Sequence, residues 1–341
     1  MNKVVLVTGG AGYIGSHTVV ELQQAGYDVI IVDNFSNSEK SVIEAIAQIT
    51  GKLPLLVEFD LSNEQLCQEF FEQYHIDAII HFAAFKYVGE SVQQPLRYYR
   101  NNFFTTLNLL SAMEKHAIGN LVFSSSCTVY GEADKLPVTE STPIKPAMCP
   151  YGNTKQVIEE ILSDICATNP TLQVIALRYF NPIGAHPSAL IGELPSGIPQ
   201  NLIPYVTQTA MGIREFLQVY GNDYNTPDGT CLRDYIHVVD LAKAHVAAIK
   251  RMENIKNKDN YEVFNIGTGK PTSVLEIINA FERVTQQKLP YKIVGRREGD
   301  VEKVWADTQK ANEVMNWKAQ LNLEEMLSSA WNWELALKNK K

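Results

Sequence analysis

Val4-Val5-Leu6-Val7 leads without a charged residue into Thr8-Gly9-Gly10-Ala11-Gly12-Tyr13-Ile14-Gly15, and this stretch constrains the fold more than any other. A short apolar run rich in β-branched residues is the pattern of a strand buried on both faces. Thr8 to Gly15 then reads as a tight turn and the start of a helix. Gly9, Gly12 and Gly15 have G-x-x-G-x-x-G spacing, in which missing side chains let backbone N–H groups approach a pyrophosphate at the positive end of a helix. A glycine cluster can also serve turn geometry alone. Here the strand before it, the helix after it and an acid downstream select the dinucleotide reading. That acid is Asp33, which ends the apolar run Val29 to Val32 at 18 residues beyond Gly15. Its carboxylate can accept from ribose hydroxyls and repel a 2′-phosphate, so NAD is predicted over NADP.

Composition narrows the class. The 341 residues are 45% hydrophobic and 20% charged, enough to bury a large core in one or two domains. The apolar runs are shorter than a membrane span, and Met-Asn-Lys passes straight into the first core strand, so a cytoplasmic protein is expected. The cysteines, at 67, 127, 149, 166 and 231, are odd in number and form no C-x-x-C pair, which predicts neither a disulfide framework nor a zinc site. A formal net charge of -8 argues against a nucleic-acid partner, because phosphate backbones demand basic surface.

The chain continues as alternating strands and helices. Ser16 to Ala25 and Ser41 to Ile49 have helical spacing, and Leu55 to Phe59 is a third strand ending at Asp60. At a strand's carboxyl end, Asp60 or Leu61 could contact adenine; alternatively Asp60 caps the helix that begins near Asn63. Ala78 to Phe82 is a fourth strand, in which His81 is read as structural because no second metal ligand stands near it. Ala83, Ala84 and Phe85 come next; the small residues permit close cofactor approach, and Lys86 can meet a phosphate. A helix is predicted over Leu96 to His116, with Asn101-Asn102 placed where an amide could face the cofactor, and then a fifth strand, Leu121 to Phe123. This alternation predicts a doubly wound parallel α/β sheet with right-handed crossovers.

The reactive groups come after the fifth strand. Ser124-Ser125-Ser126-Cys127-Thr128 sets hydroxyls at the sheet's carboxyl edge, where they can hold a substrate oxygen or merely satisfy their own loop. Pro150 opens a helix in which Tyr151 and Lys155, at i and i+4, share a face. A free tyrosine, with a pKa of about 10, is a poor base at neutral pH. A neighbouring ammonium and a positive nicotinamide would favour its phenolate, which could take a proton from a hydroxyl as hydride leaves the carbon.

With these motifs in order, the chain resembles the extended short-chain dehydrogenase/reductases, and among them those that epimerise nucleotide sugars. The resemblance rests on Thr8 to His17, His81-Phe82-Ala83 with Lys86, Val88-Gly89-Glu90-Ser91, Ser124 to Gly131 and Pro150 to Lys155. It continues through Arg178 to Pro182, Gly184 to Ser188, Arg233 to Val238 and Arg297-Glu298-Gly299-Asp300. It implies a Rossmann sheet over residues 1–181, rejoined by about 238–264, with a smaller, interleaved α/β substrate domain of 182–237 and 265–341. It also implies NAD-dependent inversion at C4 of a UDP-hexose, interconverting UDP-glucose and UDP-galactose. Tyr151 would be the base, Ser126 would share its hydrogen bond and Lys155 would hold the nicotinamide ribose. Further NAD contacts implied are Tyr13, Ile14, Asn34, Phe35, Ser36, Asn37, Ser38, Phe82 and Phe180. Substrate contacts implied, beyond Lys86, Ser126 and Tyr151, are Asn181, Asn201, Leu202, Gln218, Val219, Tyr220, Arg233, Arg297, Asp300 and Val304. Taken without the resemblance, each arginine fits a surface ion pair equally well. A homodimer through the helices of Asn101 and Tyr151 is implied as well.

Toward the C-terminus, Val239 to Arg251 is expected to return to the first domain, and Val263 to Ile266 with the helix Ser273 to Val284 to lie near the second. Leu323 to Leu337 reads as a helix anchored by Trp331 and Trp333, and Lys338 to Lys341 as a solvated tail. Three departures from relatives stand out. Met148-Cys149 precedes Pro150, where serine-like residues often stand; the chemistry needs no thiol nucleophile there. Cys127-Thr128 replaces the Asp-Glu pair of sugar-nucleotide 4,6-dehydratases. Val304 stands where some epimerases carry tyrosine, which either leaves room for an N-acetyl group or simply lets the valine pack beneath the loop. Alternatives are an epimerase mainly for N-acetylhexosamines or pentoses, a net oxidoreductase, and a non-catalytic NAD sensor.

Overall fold

The computed structural model describes residues 2–254, 259–297 and 300–340, so Glu298, Gly299 and Lys341 of the motifs above lie outside the described residues. In chain order the elements are β1 (Val4–Thr8), α1 (Tyr13–Gln24), β2 (Asp28–Asp33), α2 (Ser41–Thr50), β3 (Leu55–Glu58), α3 (Glu64–Gln73) and β4 (Ala78–His81). Next come α4 (Val88–Gln93), α5 (Pro95–Lys115), β5 (Asn120–Ser124), α6 (Pro150–Thr168), β6 (Gln173–Tyr179) and β7 (Asn181–Ile183). The remainder is α7 (Leu202–Ala210), β8 (Leu217–Tyr220), β9 (Leu232–His237), α8 (Val238–Asn254), β10 (Tyr261–Ile266) and β11 (Pro271–Ser273). It closes with α9 (Val274–Thr285), β12 (Tyr291–Val294), β13 (Lys303–Val304), α10 (Gln309–Val314) and α11 (Leu323–Lys340).

Seven parallel strands form the main sheet in the order β10-β6-β5-β4-β1-β2-β3, the doubly wound arrangement predicted from the alternation. Both faces are covered, which is why its strands read as unbroken apolar runs. In β1, Val5 and Val7 enter the layer beneath α1, α2 and α8, while Leu6 enters the opposite layer with α3, α5 and α6. Sheet order reverses between β1 and β4, and the carboxyl ends of those strands, with β5 beside them, open the crevice where such sheets place ligands.

A second assembly sits beyond that crevice. β9 pairs with β7 and β13 in parallel and with β11 antiparallel, and β8 pairs with β12. An apolar cluster of Ile183, Val206, Val219, Phe281 and Leu327 joins β7, α7, β8, α9 and α11. Trp331 packs edge-on against Phe281, and Trp333 Nε1 donates to the Glu193 carbonyl at 2.9 Å, so both tryptophans are anchors as expected.

Several local expectations change. α1 begins at Tyr13, so Gly15 lies within its first turn. The single helix expected from Leu96 is preceded by a separate one, α4, with Pro95 opening α5. β10 is the edge strand of the main sheet, paired along β6, and does not lie with the second assembly; the crossover helix α8 returns the chain there. α11 runs through Lys340, so Lys338, Asn339 and Lys340, expected in a tail, continue a helix.

His17, His81, His237 and His245 are buried. Burial disfavours the imidazolium and pushes them down to about 3, 3, 4 and 4 respectively. His81 is structural, bonded to the Thr8 hydroxyl at 2.7 Å and to Thr106 at 3.2 Å. Below the ordinary value of 6.5 the unfolded chain gains protons that the folded chain refuses, so stability is lost as pH falls through that value. Each such histidine contributes a slope of about 1.4 kcal/mol per pH unit well below its unfolded pKa. Urea midpoints are therefore expected to drop between about pH 6.5 and 5, and His81→Gln to flatten the drop; midpoints independent of pH would contradict neutral burial.

Candidate active site

The glycine turn is built by three different constraints. Gly9 has φ +69°, and a Cβ there would meet the Ala83 nitrogen at 2.9 Å. A Cβ at Gly15 would lie 2.2 Å from the Gly9 carbonyl oxygen, so only glycine lets α1 dock on its own turn. Gly12 caps α1 through backbone alone; no side chain caps the helix and no acid occupies its first turn. Those N–H groups and the positive helix end fit the diphosphate of a dinucleotide.

Asp33, buried at the end of β2, accepts from Ala11 N at 2.9 Å, Phe35 N at 2.9 Å and Ser38 Oγ at 3.0 Å. The loop of Asn34, Phe35, Ser36, Asn37 and Ser38 is thereby tied to the glycine turn. Asn34 donates to Asp60 at 3.3 Å, and Tyr87 donates to Asn37 at 3.4 Å. The cap role considered for Asp60 belongs instead to Asn63, whose side chain accepts from Leu66 N. Asp60 accepts from Ser62 N at 2.8 Å and stays at the β3 terminus. Leu61 is buried, and its carbonyl accepts from Asn108.

At the β4 end, Phe82 packs on His245 with ring centroids 4.7 Å apart, and Ala83 and Ala84 come next. Asn101 donates to Asn102 at 3.0 Å. Asn102, read with Asn101 as an amide that could face the cofactor, is fully buried and bonds Phe85 N at 2.9 Å, Phe85 O at 3.1 Å and the Thr154 hydroxyl at 3.0 Å, joining α5, α6 and the β4 loop.

Ser126, Tyr151 and Lys155 come together at the end of β5. Cys149 is the N-cap of α6, its sulfur accepting from Gly152 N at 3.4 Å, so the thiol takes over the serine-like capping role. Ser126, whose Oγ accepts from Thr128 N at 3.2 Å, lies beside Tyr151, and Lys155 Nζ donates to the Ser124 carbonyl at 2.7 Å, lying 4.6 Å from the Phe123 ring centre. Around Tyr151 burial acts against the neighbouring charges expected to favour its phenolate. Burial pushes Tyr151 well above its ordinary value, with only the Ser126 hydroxyl pulling it down. Burial also pushes Lys155 down to about 7, opposed by Glu159. Desolvation outweighs the neighbouring charge because both groups are almost completely enclosed.

The expected substrate contacts ring the second assembly. Lys86 Nζ stands 3.7 Å from Glu193, which also accepts from Asn201 Nδ2 at 2.5 Å. Asn201 and Leu202 open α7, whose first turn has no side-chain cap. Asn181 lies on β7, and Gln218, Val219 and Tyr220 on β8. Arg233 Nη1 donates to the Leu232 carbonyl at 2.9 Å. Arg297 forms an ion pair with Asp300 at 2.6 Å and lies over the Tyr220 ring. Val304 is buried against Val129, Tyr130 and Phe180, paired in register with Arg233. Glu193 and Glu159 are absent from the sequence-based site; the second could have been found from its place one turn after Lys155. Among the described residues no group of three or more metal-ligating side chains could hold an ion, and no helix is long and apolar enough to cross a membrane.

Residues 6–330 match the family model described as GDP-mannose 4,6 dehydratase. The chain is 52% identical over 330 residues to a UDP-glucose 4-epimerase of Dictyostelium discoideum, covering 97% of this chain and 95% of that one. It is similar to the crystal structure of a Bifidobacterium longum UDP-glucose 4-epimerase in complex with NAD+ and UDP, with a TM-score of 0.95, 48% identity and coverage of 99% and 100%. A Stenotrophomonas maltophila UDP-glucose-4-epimerase structure with bound NAD and formylated UDP-arabinopyranose aligns with a TM-score of 0.96, 48% identity and full coverage of both chains.

Proposed function

We propose that this chain, which belongs to the UDP-glucose 4-epimerases within the extended short-chain dehydrogenase/reductase family, interconverts UDP-glucose and UDP-galactose with NAD as cofactor. The observation that carries the reading is the convergence of Ser126, Tyr151 and Lys155 at the sheet edge served by the uncapped glycine turn.

Bound NAD supplies a hydride acceptor and, on the return, its donor. The chain's own residues handle the proton. Tyr151 takes it from the sugar 4-hydroxyl and gives it back after the 4-keto sugar has presented its opposite face, while Ser126 shares the hydrogen bond to that oxygen. Because burial holds the resting phenol protonated, the base form depends on positive charge placed beside it, and Lys155 is the chain's contribution. Lys155, Asp33 and the amides of the glycine turn hold the dinucleotide. Arg233 and Arg297 grip the diphosphate, Gln218, Val219 and Tyr220 frame the uracil, and Asn181, Asn201, Leu202 and Asp300 complete the contacts to the nucleotide sugar. That grip must be firm and the hexose contact loose, since a tightly fitted sugar could not turn over.

The division of labour runs along the chain: 1–181 with 238–264 for NAD, and 182–237 with 265–341 for the UDP-sugar. A dehydratase reading is disfavoured because Cys127, beside Ser126, is pushed up to about 12 by burial and cannot replace a carboxylic acid. The free thiols suit a reducing compartment, the cytoplasm. N-acetylated UDP-hexoses are further substrates, on the ground that valine at 304 leaves volume that a tyrosine would fill. A homodimer through α5 and α6 would cover Leu96, Phe104 and Leu107, which α5 exposes.

Incubated with UDP-galactose alone, the protein is expected to form UDP-glucose without net NADH. Tyr151→Phe should abolish turnover with NAD still bound, and loss of fold in that variant would reassign the residue to structure. Val304→Tyr is expected to lower kcat/KM for N-acetylated substrates selectively; equal effects on both classes would end the specificity argument. Sedimentation should report twice the chain mass, falling to one chain mass in Leu96→Lys with Phe104→Lys.

A further inference from the structure

Three consecutive serines end β5, and each meets a different turn of α6. Ser126 lies beside Tyr151, the Ser124 carbonyl accepts from Lys155, and the Ser125 hydroxyl donates to Glu159. The partners are spaced i, i+4 and i+8, so they line one face of the helix, and all are buried. We propose that Glu159 is a positioning residue of the reaction, fixing through Ser125 and Arg178 the register between the serine strand end and the helix that carries Tyr151 and Lys155. This rests on the epimerase reading above.

The carboxylate is fully engaged. Oε1 accepts from Ser125 Oγ and from Arg178 Nε at 3.0 Å, while Oε2 accepts from Arg178 Nε at 3.1 Å and from Nη2. Arg178 continues the network: its Nη1 donates to the Tyr130 hydroxyl at 3.1 Å, which donates to Asn265 Oδ1 at 2.6 Å. Asn265 Nδ2 in turn donates to the Val138 carbonyl at 2.9 Å. The helix, strands β5, β6 and β10 and the short 3-10 turn Cys127–Tyr130 are thereby locked to one another behind the reacting groups. A buried Arg–Glu pair adds little net stability over apolar packing, so stability alone does not explain it. Its contribution is direction. Ser125 is the residue before Ser126; its backbone N donates to the Leu177 carbonyl at 3.0 Å, which ties the strand end to β6, and its hydroxyl ties the same point to α6 through Glu159. The groups facing Lys155 are Glu159 and Tyr151 on its own helix and His81 on β4.

Ser125→Ala removes only the link and leaves Arg178 paired. The expected result is about a tenfold lower kcat, the scale of one hydrogen bond to a charged group, with KM for UDP-galactose, NAD binding by calorimetry and the unfolding midpoint unchanged. Glu159→Gln should lower kcat further and move the alkaline limb of the pH profile to lower pH, because the anion that holds the Lys155 proton is gone. If Glu159→Gln fails to fold, Ser125→Ala decides alone. An unchanged kcat in Ser125→Ala beside an active wild type overturns the positioning role only, as does a kcat that falls solely in step with stability. A wild type that leaves UDP-galactose unconverted removes both this role and the epimerase reading.

Discussion

Lys155 holds a formal charge in a place almost without water, and the rest of the centre depends on how that charge is accommodated. Its ammonium has a backbone carbonyl and an aromatic face for company and, among the described residues, no carboxylate in direct contact, so the proton is held loosely and the amine is driven toward neutrality. Tyr151 beside it is driven the other way, toward staying a phenol. Burial favours the neutral form of both groups, so the base form of Tyr151 depends on positive charge placed beside it. Such an arrangement survives only if the surrounding helix and strand cannot relax, and the Arg178–Glu159 pair behind it supplies that rigidity.

The same logic of close approach governs the nucleotide end. α1 sits on its own turn with no room for a methyl group at Gly15, and the turn presses on the backbone of Ala83. Asp33 then bridges back to Ala11. Strand ends β1, β2 and β4 are therefore joined both by backbone, Gly9 N donating to the Val32 carbonyl at 2.7 Å and Phe82 N to the Thr8 carbonyl at 3.0 Å, and by the Asp33 carboxylate.

Much of this is legible in the chain because it is local. Apolar runs such as Val29 to Val32, the glycine spacing and the i, i+4 placement of Tyr151 and Lys155 each declare themselves within a few residues. The hidden part depends on tertiary neighbours. Nothing near Asp60 says that Asn63 will take the cap, and nothing in Val263 to Ile266 says which sheet will receive it. The protonation of Tyr151 escapes a sequence reading because enclosure is produced by elements far away along the chain. Glu159 and Asn265 are ordinary polar residues until Arg178 and Tyr130 are brought to them.

The edge strand β10 has a consequence for how the chain is made. Its partner β6 is complete by Tyr179, yet the strand that covers it is not translated until Tyr261 to Ile266. For about eighty residues of synthesis the nascent sheet presents an open row of backbone donors and acceptors, a surface to which other extended segments can add. The main sheet is thus closed along this edge only after the segment carrying α7, β8, β9 and α8 has been made, which ties the completion of the sheet to the folding of the chain between its two edge partners.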